Sequence, residues 1–128
     1  NNMKNGASWT DEEGNVIPNS RLTRPADPPR SYAYCSDTCY LPGLADRLKG
    51  VTCLYHESSY ADEDEDKAQK YFHSTARQAA MVARDAGVGR LLLGHYSSKY
   101  NTEDVLLQQA KEVFAESSLT SEGMVVTL

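Results

Sequence analysis

The sequence predicts an α/β fold in which helices pack on a sheet that is at least partly parallel. Three observations carry that reading. β-prone runs alternate with helical stretches from Ser31 onward; Ala76 to Ala86 sets small residues at helical spacing ahead of Gly87; and polar residues with acid–base or ligand chemistry follow the apparent strands instead of interrupting them. At 128 residues the chain is long enough for one hydrophobic core and too short for two independent domains.

Taken in order, residues 1–30 are polar and broken by Gly6, Gly14, Pro18, Pro25, Pro28 and Pro29, which reads as a connector with room for one edge strand at Val16-Ile17. Residues 31–128 form the folded unit. Ser31 to Ser36 alternates Tyr32 and Tyr34 with Ala33 and Cys35, the period of a strand, and Asp37 sits just past its end. Leu44 to Lys49 suits a short helix before Gly50, and Val51 to Tyr55 is a second β-prone run leading into His56-Glu57. Ala61 to Tyr71 places Asp62, Glu63, Asp64, Glu65 and Asp66 ahead of Lys67 and Lys70, a charge order that suits a helix macrodipole and reads as solvated surface.

Ser74-Thr75 offers N-cap hydroxyls to a helix of Ala76, Ala79, Ala80, Val82, Ala83 and Ala86, which Gly87 should stop. Val88 to Leu93 reads as an apolar strand ending at Gly94-His95. Glu103 to Phe114 repeats Val105, Leu106, Ala110, Val113 and Phe114 at helical spacing, and Met124 to Leu128 is expected to add a last short strand.

A net charge of -5 argues against a general phosphate-neutralising surface, so any nucleic-acid contact is local or supplied elsewhere. No stretch approaches the roughly eighteen apolar residues of a membrane span, and no leader-like opening is present, so the expected location is cytoplasmic. The three cysteines, Cys35, Cys39 and Cys53, match neither a paired zinc motif nor a disulfide framework. They read as reduced thiols, with Cys35 and Cys53 acting as small buried hydrophobes inside strands.

In open α/β sheets ligands bind beyond the carboxyl ends of strands, where residues distant in sequence converge. Asp37, His56-Glu57 and His95 all fall there, and His56, His73 and His95 are the chain's three histidines. Imidazole and carboxylate are ordinary zinc ligands, and a carboxylate can bridge the two ions of a hydrolytic centre. Asp37 and His95 suit those parts.

Four ordered motifs make this more specific: Ala33-Tyr34-Cys35-Ser36-Asp37-Thr38; His56-Glu57-Ser58-Ser59; His73-Ser74-Thr75 followed by Ala76-Arg77-Gln78-Ala79-Ala80; and Gly94-His95-Tyr96-Ser97-Ser98-Lys99-Tyr100. Together they resemble successive motifs of the ribonuclease Z family, from about Arg30 to Tyr100. The resemblance implies the C-terminal half of a metallo-β-lactamase αββα sandwich, one mixed sheet with helices on one face. It implies a zinc-dependent endoribonuclease that removes 3′ trailers from tRNA precursors. Asp37 corresponds to the family's zinc-bridging aspartate, His95 to its last metal-binding histidine, and His73 to a residue placed for proton transfer at the scissile phosphate. Glu57 would orient and charge-stabilise His73, while Ser97, Ser98 and Lys99 are placed to meet a substrate phosphate.

The chain also departs from the family pattern. Lys99 stands where the family usually has Arg, losing the planar fork that binds phosphate through two bonds. Ser58-Ser59 replace Ala-Thr, Phe72 stands where Gly is common, and Gly94 replaces a common Thr. The family's His-x-His-x-Asp-His cluster, which lies in the N-terminal half, has no counterpart in this sequence. Two zinc ions are therefore expected only in a full-length enzyme whose N-terminal half supplies the remaining ligands, since a catalytic zinc needs about three protein ligands. The isolated chain is expected to bind zinc weakly, to lack phosphodiesterase activity and, through the sheet face left without its partner, to form a homodimer. The competing readings are another phosphodiesterase or sulfatase of the same fold and a noncatalytic interaction module.

Overall fold

Local sequence sets the ends of the elements before packing joins them. The computed structural model describes residues 29–128 throughout and, before them, only the two strands β1 (Trp9–Thr10) and β2 (Val16–Ile17). These pair antiparallel, Trp9 with Ile17 and Thr10 with Val16, so the strand anticipated at Val16-Ile17 exists and has a partner. The rest of the connector reading lies outside the described residues.

From residue 32 the order is β3 (Tyr32–Cys35), α1 (Leu44–Arg47), β4 (Cys53–Glu57), a 3-10 turn (Asp62–Asp64), α2 (Glu65–Lys70), α3 (Ala76–Ala86), β5 (Arg90–Gly94), α4 (Asp104–Lys111) and β6 (Ser117–Leu119). The sheet runs β3-β4-β5-β6, and every neighbouring pair is parallel. Where the sequence suggested a mixed sheet, these strands share one direction because each connection carries a helix that returns the chain to the same end. Each crossover also steps one place across the sheet, and the handedness rule for such units sends all the helices to one face.

The core agrees with that rule. Leu54, Leu91 and Leu93 are fully buried with Ala45 of α1, the alanines of α3, and Leu106 and Ala110 of α4, while Ala33, Cys35 and Leu119 close the cluster's edges. Small residues let α3 lie close to the strands, and truncating a buried leucine such as Leu91 to alanine would cost about 2–5 kcal/mol. The opposite face carries Tyr32, Tyr34, Tyr55 and Leu92 over a trough of about 960 Å³ that Met124, Val126 and Leu128 also line. Tyr34 and Tyr55 stack with ring centroids 4.6 Å apart, and burial, reinforced by Tyr34, pushes the Tyr55 phenol up to about 12. The same ring lies across Gly94, where an added Cβ would sit 2.1 Å from the Tyr55 hydroxyl.

Helix α3 begins and ends as its sequence dictates. Thr75 accepts from the Gln78 amide while the Gln78 side chain accepts from the Thr75 amide, a full capping box, and Gly87 ends the helix at φ 66°. Three segments differ from expectation. The acidic stretch is not one helix but a 3-10 turn followed by α2, and Asp64 within it is buried. Residues 124–128 form no strand; the last strand is β6, whose Ser117-Ser118 lacks a β-branched signature and joins the sheet by pairing with β5. Strand β4 ends at Glu57 instead of Tyr55, which draws His56 into the sheet.

Candidate metal and proton-transfer site

Three neighbouring strands deliver the site at their carboxyl ends. Asp37 lies just beyond β3, Glu57 is the last residue of β4, and His95 follows β5 directly. His73 arrives from the other direction, in the turn between α2 and α3. An isolated parallel bridge between Tyr60 and Thr75 ties that turn to the segment after β4, and the Ser74 hydroxyl donates to the Thr38 carbonyl at 2.5 Å, tying it to the segment after β3.

Glu57 is fully buried and spends both oxygens. Oε1 accepts from the Thr38 amide and from His73 Nδ1, each at 2.8 Å, and Oε2 accepts from the Ser59 hydroxyl at 2.6 Å. With Nδ1 turned to the carboxylate, His73 keeps Nε2 for chemistry, and its side chain is 24% exposed, enough to be reached. The His73 and His95 rings are stacked at 5.3 Å.

Ser59 is the residue that sequence reasoning missed. Its hydroxyl donates to Glu57, leaving its oxygen to accept from His95 Nδ1 at 3.0 Å. That arrangement is consistent with an Nδ1–H tautomer of His95 and turns its Nε2 toward Asp37 Oδ1 at 3.1 Å. A proton on Nε2 or a metal cation beside the two atoms would hold them at that distance. The donor set fits a metal cation: Asp37, His73 and His95 each offer a ligand atom, all within 4.8 Å of one another. A hydroxyl at position 59 was legible in the motif comparison, because Ser and the family's Thr both carry one.

The backbone around the site is held in unusual conformations. Asp37, Phe72 and His95 have φ of 50°, 60° and 60°. Asp and His tolerate this left-handed region, but for a bulky Phe it costs about 1–2 kcal/mol. Phe72 is there because α2 closes in a Schellman motif, with the His73 amide donating to Ala68 O at 2.8 Å and the Phe72 amide to Gln69 O at 3.4 Å. Glycine would meet that requirement without strain.

Other predicted residues lie apart. His56, grouped with Glu57 from sequence, is buried on the helix-covered face; its Nδ1 donates to the Glu57 carbonyl at 2.7 Å and its Nε2 finds no partner among the described residues. Burial holds its pKa below the ordinary value. Ser97 donates its amide to Ser59 O at 2.9 Å, at the edge of the site. Ser98 is exposed. The Lys99 ammonium is committed to Asp64, at 2.5 and 2.7 Å from its two oxygens, with Tyr100 Oη donating to the same carboxylate at 2.6 Å. Among the described residues no contact joins Ser98 or Lys99 to Asp37, His73 or His95.

No family model matches the chain. Curated relatives do: it is 45% identical over 128 residues, all of its own length and 42% of theirs, to a protein named ribonuclease Z from Bacteroides fragilis. It is 48% identical over 122 residues, 95% of its length and 40% of theirs, to one of the same name from Parabacteroides distasonis. Among solved structures it superposes on the metallo-β-lactamase fold protein YhfI from Bacillus subtilis with a TM-score of 0.66 at 24% identity, covering 71% of this chain and 37% of that one. It superposes on the short form of human tRNase Z with a TM-score of 0.52 at 28% identity, covering 66% of this chain and 27% of that one. No described helix is long and apolar enough to cross a membrane. By these matches the chain is similar along its whole length to proteins named ribonuclease Z, of which it spans about two fifths of the length.

Proposed function

We propose that the chain is the C-terminal half of a cytoplasmic, zinc-dependent endoribonuclease that removes 3′ trailers from tRNA precursors. In this reading residues 31–128 are the half-domain and residues 1–30 its connector. One observation carries it: buried Glu57 and its half-buried partner His73 stand beside Asp37 and His95, with ligand atoms of Asp37, His73 and His95 within 4.8 Å of one another. A proton-transfer couple beside a metal-ligand couple suits metal-assisted hydrolysis of a phosphodiester.

Asp37 and His95 would hold the metal, with further ligands from the rest of the protein. A zinc pair bound there supplies an acidified attacking water and compensates charge on the phosphoryl oxygens. Glu57 fixes the His73 ring through Nδ1 and stabilises its imidazolium. His73 gives the proton at Nε2 to the 3′ oxygen as the P–O3′ bond breaks, leaving a 3′ hydroxyl on the tRNA and a phosphate on the trailer. Ser59 keeps His95 in the tautomer that presents Nε2 to a cation. Lys99 serves a phosphate only by leaving Asp64, so in the closed arrangement it acts as a support of the segment after β5.

Tyr32 and Tyr34, both at least half exposed, mark the sheet face that would meet the other half of the sandwich. In the isolated chain that face would pair with a second copy, giving a homodimer. The decisive experiment compares the full-length, zinc-loaded protein with the isolated chain on a tRNA precursor and on a small phosphodiester. Cleavage of the precursor at the trailer junction by the full-length protein alone is expected. Preference for the small phosphodiester, or robust cutting by the isolated chain, would overturn the reading.

A further inference from the structure

Phe72 is 71% exposed, has no part in the core, and sits immediately before His73 at φ 60°. The Schellman end of α2 needs a left-handed residue there, and glycine would satisfy it without strain. A phenylalanine carries the strain of that backbone and, among the described residues, gains no packing in return. Tyr71 beside it is 54% exposed, and the Lys70 ammonium lies 5.5 Å from its ring centroid. A strained turn thus presents two adjacent exposed aromatic side chains, with a cation alongside, one Cα step from the residue assigned to proton transfer.

We propose that Phe72, with Tyr71 beside it, is a stacking platform for an unpaired base flanking the scissile phosphate, an inference that rests on the nuclease reading above. An aromatic face accepts any base, which suits a substrate class of many sequences. It also needs no positive field, which suits a chain whose net charge is -5. Lys70 then meets the backbone phosphate of the stacked nucleotide.

The test uses the full-length, metal-loaded protein as wild type, Phe72→Gly and Phe72→Trp. Kd is measured by fluorescence anisotropy with a labelled precursor carrying a non-hydrolysable scissile linkage, either intact or abasic at one flanking nucleotide, and Tm is measured alongside. Phe72→Gly should weaken binding of the intact precursor on the order of tenfold, the scale of one stacked base, while Phe72→Trp holds it. The abasic precursor should bind wild type about as weakly as the intact one binds the Gly variant, with no further loss when both changes combine. Tm of the Gly variant should stay level or rise. Unchanged Kd in Phe72→Gly overturns the platform alone, as does a fall in its Tm, which would show Phe72 packed against the rest of the protein. A wild type that neither binds this RNA nor cleaves the unmodified precursor overturns the nuclease reading and the platform with it.

Discussion

Glu57 and Asp64 are both buried carboxylates, close in sequence and each gripped by donors from other elements, yet their surroundings differ in kind. Around Glu57 the donors are an amide, a serine and a histidine that itself reaches solvent. Around Asp64 they are the Lys99 ammonium and the Tyr100 hydroxyl, with Lys67 3.8 Å away, and none of these groups carries a second ring nitrogen left over for acid–base work as His73 does. A buried carboxylate becomes part of a reaction when one of its partners is half free; when every partner is consumed it becomes a bracket, here fastening the segment after β5 to the turn ahead of α2.

That contrast can be broken or sharpened by substitution. The largest effect is expected from Glu57→Gln in the full-length, metal-loaded protein, which keeps the shape and removes the charge behind His73. Precursor cleavage should fall by about 10²–10⁴-fold, the range for a positioned proton-transfer group; a rate within about twofold of wild type would place Glu57 with Asp64 as a bracket. Next comes Ser59→Ala, which takes the Nδ1 partner from His95. Metal affinity should drop about 10–100-fold in a competition titration, as for other partners of metal ligands, and unchanged affinity would detach Ser59 from the site.

Asp64→Asn should act on stability while sparing the pH–rate profile. Lys99, and then Tyr100, hold the Asp64 carboxyl below its ordinary 3.8. The unfolded state therefore binds the proton first on acidification, so the contribution is full above about pH 4 and is lost as pH falls through the folded-state value. Chemical denaturation across pH should show wild type losing stability faster than the variant below about pH 4, with a lower thermal midpoint for the variant at neutrality; matching curves would mean the bracket bears no weight.

The smallest effect belongs to His56, whose burial lowers its pKa from 6.5. Below that pH the unfolded chain takes up a proton that the folded one refuses, so stability should fall gently as pH drops through about 6.5. His56→Asn, which keeps a donor for the Glu57 carbonyl, should flatten that limb; an unaltered slope would assign it to another group.

Much of this was legible in the sequence where local chemistry decides. Thr75, Gln78 and Gly87 mark both ends of α3, and the alternation from Tyr32 to Cys35 sorts the two faces of β3. Asp37, His73 and His95 were assembled from motif order, and the structure brings them together. What escaped depends on partners far along the chain. Asp64 sits in an acidic run whose composition says surface, and only the fold shows Lys99 arriving to bury it. His56 and Glu57 are adjacent letters that a strand sends to opposite faces, and a two-residue shift in the end of β4 decides which of them meets the site. Strand β6 is made by its neighbour and not by its own propensity.

Gly94 has a consequence of a historical kind. Its missing β-carbon leaves the space that the Tyr55 ring fills, with ring carbons 2.5 Å from where that carbon would stand. The two positions are therefore not free to drift separately. A β-carbon at 94 requires the Tyr55 ring either to swing aside or to give way to a smaller side chain, so a change at one position should be accompanied by a change at the other.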